Sequence, residues 1–254
     1  MYAQGIVFEP QLHLEEQARY PYGARSEAAI YVGDLLCDEV PSLHDGALEI
    51  VAIARRPGVL SKVAIRPAPT TVTPLQVGIG ADHLAQVSRQ LEGERIEIVR
   101  WQRHAPTYIA DALGLSEVPP MLLLPGLGHA RVLVGEIDLR GIAGWRGLNT
   151  ILASALTGWR IRLEPIAASP GWRRLQQAML ARRAVSGTLI GITSRGPRVE
   201  VFGLYAILSG HLWDASVGAD VEVRVTRMDE DEGRIFVSQV TERGGQLELA
   251  GWSQ

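Results

Sequence analysis

The sequence predicts an α+β chain: two α/β modules in tandem, followed by a small β-barrel. Three observations carry this. Residues 47–101 and 121–163 each run through a hairpin, a glycine-containing segment, a helix and a strand, so the second stretch repeats the first in outline. The tetrapeptide Gly144-Trp145-Arg146-Gly147 lies between two helical stretches. Residues 184–240 break into short alternating strands joined by turns, with no long helix among them.

The elements follow in order. Residues 1–39 show few clear periods; Tyr20-Pro21-Tyr22-Gly23 reads as a turn, and Ala28 to Leu36 as a strand or a short helix. Ala47 to Arg55 reads as a strand, Arg56-Pro57-Gly58 as a turn and Lys62 to Arg66 as the hairpin partner. A connection rich in Pro and Thr leads to Val77-Gly78-Ile79-Gly80. A helical stretch with Leu84, Val87 and Leu91 comes next, then Gly93 and the strand Arg95 to Trp101. Tyr108 to Leu113 is helical. Met121 to Leu124 and Arg131 to Val134 make a second hairpin. Leu148, Ile151, Leu152, Ala155 and Leu156 have the 3–4 spacing of a helix face, Gly158 ends that helix, and Trp159 to Leu163 alternates as a strand.

Barrel strands are expected over Ala184 to Ile192, Arg198 to Leu208 (as one or two strands), Val217 to Val225 and Ile235 to Ser238, with Asp229 to Arg234 as a hairpin tip. The expected organisation is a segment of unclear fold over 1–39, modules over 40–115 and 116–168, a basic linker over 169–183, the barrel over 184–240 and a tail over 241–254.

Helix, glycine loop, helix and strand is the arrangement with which KH domains clamp about four nucleotides of RNA backbone. The residues around this loop resemble the second KH module of the bacterial transcription factor NusA. The matches are Gly144, Arg146, Gly147, Asn149, Ala153, Ser154, Leu156, Thr157, Gly158 and Trp159. The upstream stretch resembles the first KH module of the same family at Val40, Pro41, Gly46, Glu49, Ile50, Ala52 to Arg55, Pro57, Gly58 and Leu91 to Trp101. The final strands are similar to the OB barrel named after ribosomal protein S-one. The resemblance implies two type II KH folds, single-stranded RNA as ligand, and RNA polymerase or the ribosome as partner. One departure concerns order, since the family places its barrel before the KH pair. A second concerns the first glycine loop, which reads either Gly78-Ile79-Gly80-Ala81 or Gly80-Ala81-Asp82-His83, about two residues short, with Asp82 where phosphate would be repelled.

Charge alone does not point to RNA, because the 254-residue chain carries a net charge of −3. Its distribution is more informative. Residues 1–40 hold 2 basic and 7 acidic groups, residues 41–170 hold 13 and 11, residues 171–183 hold four arginines and no acid, and residues 184–254 hold 6 and 10. Hydrophobic content of 46% with 21% charged residues is that of a folded chain. No apolar run reaches the roughly 18–20 residues of a membrane span, so no membrane role and a cytoplasmic location are expected. The single Cys37 excludes an internal disulfide and reads as a buried small hydrophobe. Six scattered histidines without metal spacing, no P-loop and no nucleophile elbow argue for a non-enzymatic protein with no cofactor and no metal.

The expected RNA contacts are Gly144, Trp145, Arg146, Gly147 and Asn149, with Arg160 and Arg162 on the following strand and Gly78 and Gly80 in the first loop. Loop glycines let a phosphate approach backbone N–H groups, Arg146 supplies charge, and Trp145 can stack on a base. On the barrel, Phe202, Tyr205, His211 and Trp213 are the candidate aromatic platform. Expected roles are transcription elongation, termination or antitermination. The alternatives are a ribosome-associated or RNA-maturation factor, and a protein-interaction scaffold whose KH modules have lost RNA.

Overall fold

The computed structural model describes residues 27–68, 79–193, 195–209 and 215–240. The chain divides into two units, residues 1–164 and 165–254.

In the first unit, α1 (Glu27–Glu39) and the short α2 (Pro41–His44) precede β1 (Leu48–Arg56) and β2 (Leu60–Pro67); α3 (Ala81–Gln90) and β3 (Arg95–Arg100) follow. The ambiguous stretch after Ala28 is therefore helical. Ala29, Val32 and Leu36 recur at 3–4 spacing and are buried against Ile50, Ile53, Val63 and Ile65, so residues expected to stand apart form one wall of the first module's core. β1 pairs antiparallel with β2, and β2 parallel with β3. The second module repeats the order with α4 (Ala105–Leu113), β4 (Met121–Leu124), β5 (His129–Val134), α5 (Glu136–Ala143), α6 (Leu148–Thr157) and β6 (Arg160–Pro165), its sheet running β4-β5-β6. Gly114 and Gly158 close α4 and α6 in the left-handed region, at φ 77° and 74°.

Both faces of the β1–β2 hairpin are buried. A register shift between Ile50 and Ala52 swaps the strand's two faces. Beyond it Ile53 stays with the first module's own helices, while Val51, Ala52, Ala54, Ala64 and Val99 share a core with Tyr108, Ile109, Leu152 and Leu156 of the second module. Helix α6 rests on β1 and β2, and α4 on β3. Short alanine side chains on that face let the helices sit close, and the two modules share one core.

Charges are buried with it. Glu94, fully buried, accepts from Arg55 Nε at 2.9 Å and Nη2 at 2.9 Å, from Ser61 Oγ at 2.6 Å and from the Gly58 N–H at 2.8 Å. This arrangement pins the hairpin turn to the start of β3. Lys62, the chain's one lysine, is 1% exposed and donates to Glu97. Burial pulls its ammonium below the usual lysine value, partly offset by that carboxylate.

The second unit opens with α7 (Pro170–Leu180), where a linker was expected. Trp172, Leu175 and Ala178 recur at helical spacing and are buried, and Ser169 Oγ caps the helix by accepting the Trp172 N–H at 3.2 Å. Then come β7 (Val185–Thr193), β8 (Gly196–Val201), β9 (Leu204–Leu208), β10 (Asp220–Asp229) and β11 (Arg234–Gln239), closed in the order β10-β11-β9-β8-β7. Alternate residues such as Val199, Val201, Leu204, Ala206 and Leu208 fill the interior. One pair departs from an all-antiparallel barrel: β9 and β11 run parallel. Five strands cannot alternate direction all the way around a ring, so one parallel pair is unavoidable. No described helix is long and apolar enough to cross a membrane.

Two outcomes follow. Ala64→Leu forces a larger side chain into the shared core, at a cost of about 1–3 kcal/mol; urea denaturation should show one transition for both modules shifted as a whole, not one module unfolding early. For Glu94, burial raises the carboxyl pKa, but the Arg55, Ser61 and Gly58 hydrogen bonds outweigh it and hold the group below the ordinary glutamate value. A depressed folded-state pKa adds stability above the unfolded value of about 4.3 and loses it as pH falls toward the folded value. Glu94→Ala removes the buried carboxylate that Arg55, Ser61 and the Gly58 N–H all donate to, costing about 3–5 kcal/mol at neutral pH, and should remove part of the acid dependence in denaturation midpoints compared at pH 7 and pH 4.

Candidate nucleic-acid interface

The glycine loop joins α5 to α6, and each of its residues has a conformational reason. Gly144 sits at φ 72°, and a Cβ there would meet Asn149 Cβ at 3.0 Å and Asn149 N at 3.3 Å. Arg146 (φ 52°) and Gly147 (φ 74°) are both left-handed, and the Gly147 N–H returns to Gly144 O at 3.0 Å. For arginine this conformation is unusual. Open space surrounds the position a Gly147 side chain would take. Helix α6 starts at once, with no side chain capping it; the Leu148 N–H returns to Trp145 O, and the positive end of the helix faces the loop. Trp145 is 68% exposed, and the Arg146 guanidinium lies 4.7 Å from its ring centroid. A cation, an exposed aromatic face and a positive helix end thus share four residues free of acid.

Asn149 is used differently from expectation. Its side-chain amide donates to Leu113 O at 3.0 Å and Ile142 O at 2.7 Å, bracing the loop against the ends of α4 and α5. Arg160 and Arg162 lie exposed on β6, with Arg162 Nε 3.3 Å from Glu164 Oε1. No hydrogen bond or ion pair joins either one to the loop among the described residues. Beside the loop lies a cleft of about 630 Å³, walled by Gly144, Trp145 and Asn149 on one side and by Leu60, Arg95 and Glu97 of the first module on the other. These first-module residues are far away in sequence, and no local pattern brings them to the loop.

The first module's loop is poorer. Gly78 lies outside the described residues. Gly80 is extended at φ −60° and caps α3 directly, placing the exposed Asp82 in the helix's first turn. That carboxylate suits the helix dipole and opposes a phosphate.

On the barrel, Tyr205 lies under Arg198 (4.3 Å to the ring centroid) and Phe236 under Arg227 (4.5 Å). Arg198 and Phe236 both flank Ile207 in register, so the two stacked pairs share one outer face. Sequence reading found Tyr205 but missed Arg198, Arg227 and Phe236. Alternation alone marks these as outward, and their stacking needs the register of three strands. Phe202 stands at the β8–β9 turn; His211 and Trp213 lie outside the described residues. No group of three or more potential metal ligands occurs among the described residues.

Comparison with known proteins fits this geometry. Residues 26–101 match the NusA-like first KH domain, a match that takes in α1, where the sequence resemblance began only at Val40. Transcription termination/antitermination protein NusA from Halalkalibacterium halodurans is 33% identical over 128 residues, 50% of this chain and 34% of that protein. The protein of the same name from Thermus thermophilus is 37% identical over 132 residues, 51% of this chain and 34% of that one. For Mycobacterium tuberculosis the figures are 34% over 135 residues, 52% and 39%. The chain spans between a third and two fifths of the length of these curated relatives. Over about half its own length it resembles the KH region of NusA, and a closed five-stranded barrel follows.

Asn149→Ala tests the brace. Losing two part-buried hydrogen bonds should cost about 1–3 kcal/mol and broaden the amide resonances of residues 144–148. A loop that stays equally well ordered in that variant would show that the brace is dispensable.

Proposed function

We propose that the chain is a single-stranded RNA-binding protein acting in transcription termination or antitermination, and that its main RNA grip is the Gly144–Gly147 loop. The carrying observation is that loop's geometry: a left-handed Arg146-Gly147 pair opening onto the uncapped start of α6, with open space at Gly147. A phosphate placed there meets backbone N–H groups and the positive end of the helix, while Arg146 neutralises it and Trp145 offers a face to a base. Arg160 and Arg162, both exposed on β6, are the further contacts of this reading. The first module, with Asp82 at its helix start, contributes chiefly as the support on which the second is mounted. The curated relatives' names supply the transcriptional role. RNA polymerase is the partner class that such a role requires, and the chain performs no catalysis of its own.

Gly147→Asp is the primary test. Aspartate tolerates the left-handed region better than most residues, and no neighbour obstructs it. The variant should fold normally and lose roughly tenfold or more in RNA affinity, about 1.4 kcal/mol per tenfold step. Arg146→Ala should lower the slope of log affinity against log salt by about 0.7, one phosphate's worth on a single strand. Unchanged binding in correctly folded Gly147→Asp protein would show that the loop serves folding and not the RNA grip.

A further inference from the structure

Helix α7 is the most concentrated basic surface of the chain, and the Gly144–Gly147 loop leaves it unexplained. Residues 171–183 contain Arg173, Arg174, Arg182 and Arg183 and no acid. All four arginines are exposed. None has a carboxylate partner among the described residues, whereas Arg55, Arg66, Arg131, Arg227 and Arg234 each lie within 4.0 Å of one.

Their placement runs against local preference twice. Arg173 and Arg174 follow directly on the first turn of the helix, near the end where the dipole favours acids. Arg182 holds φ 52° just past the C-terminus, the position at which glycine is preferred; there the Arg183 N–H returns to Ala178 O at 2.9 Å. Backbone strain of this kind points toward function when something else holds the segment in place.

Something does hold it. A Cβ on Gly171 would lie 2.6 Å from Phe202 O and 3.0 Å from Leu204 Cγ, so the helix start is seated directly on the β8–β9 turn. Trp172, Leu175 and Ala178 are buried beneath it. Above that contact, the Arg174 guanidinium lies 5.2 Å from the Phe202 ring centroid, and the ring is 40% exposed. Arg173 and Arg174 stand near the start of the helix and Arg182 and Arg183 just past its end, with roughly 10 Å of helix between Arg173 and Leu180 at 1.5 Å rise per residue.

We propose that this arginine face of α7 is a second nucleic-acid contact, one that takes the phosphate backbone of single-stranded RNA without reading its sequence. A polyanion matches the pattern, because four guanidiniums along and just beyond a helix, without a carboxylate partner among the described residues, are served by repeated phosphates rather than by one carboxylate. Arginine on an exposed aromatic adds a stacking surface of the kind that sequence-tolerant single-strand binders use. The site shares only its ligand class with the loop reading and stands on a different unit of the chain.

The test measures binding of fluorescent oligo-U and oligo-A RNA to the full chain over a series of salt concentrations. Arg173→Gln/Arg174→Gln should lower the slope of log affinity against log salt by about 1.4, two contacts at 0.7 each, equally for both RNAs. The same loss should occur in the Gly147→Asp background, where it reports α7 apart from the loop. Arg173→Lys/Arg174→Lys should retain the slope. Arg182→Gly should raise the Tm by relieving the backbone while weakening RNA binding severalfold, opposite in sign to a merely structural arginine. If Gly147→Asp changes nothing and the arginine pair still lowers the slope, the loop reading falls and this one stands. An unchanged slope in the arginine pair overturns it, including the case in which those arginines serve an acidic protein instead.

Discussion

The first sheet has no free face, and the rest of the first unit depends on that. A β-strand presents alternate side chains to opposite sides, and one side usually faces water. Here the bulge at Val51 lets β1 feed Leu48, Ile50 and Ile53 into the first module's own core and Ala52 and Ala54 into the second's. A tandem repeat becomes a single packed body. The glycine loop inherits its stiffness from it, because Asn149 ties the loop to α4, and α4 is packed on β3. The cleft beside the loop exists only because both modules contribute to it.

Electrostatics distinguishes surfaces built on one repeated order of elements. The second loop has Arg146, no acid and an uncapped helix start, whereas the first helix begins with Asp82. The most deeply buried ions, Glu94 with Arg55 and Lys62 on the half-buried Glu97, are structural: they fix the hairpin against β3. The arginines on and just past α7 stay exposed without acidic partners among the described residues. Burial and pairing, rather than the number of charges, separate structural ions from those available to a ligand.

Much of this was legible in the sequence because local rules carried it. Alternation marked the barrel strands, 3–4 spacing marked α6, and Gly158 ended it as a left-handed cap. Residues 169–183 read as a linker because four arginines and a Pro-Gly pair dominated the stretch, although Trp172, Leu175 and Ala178 already had helical spacing. The N-terminal helix was ambiguous because Ala29, Val32 and Leu36 leave only a sparse apolar stripe, and it took the β1–β2 face to give the stripe a partner. Asn149 could not be recognised as a brace, since its acceptor at Leu113 lies 36 residues upstream. Burial of the single lysine was invisible for the same reason: Glu97, which accepts its hydrogen bond, lies 35 residues away. The chain-distant contacts, not the elements, were what the sequence withheld.

The central claim is that RNA meets the protein at the start of α6. Backbone amide shifts followed by NMR during titration with a short single-stranded RNA test it most directly. The account predicts that the largest changes fall on residues 145–150, with the start of α3 at residues 81–83 little affected. Saturable RNA binding that leaves the amides of residues 145–150 unmoved would contradict it.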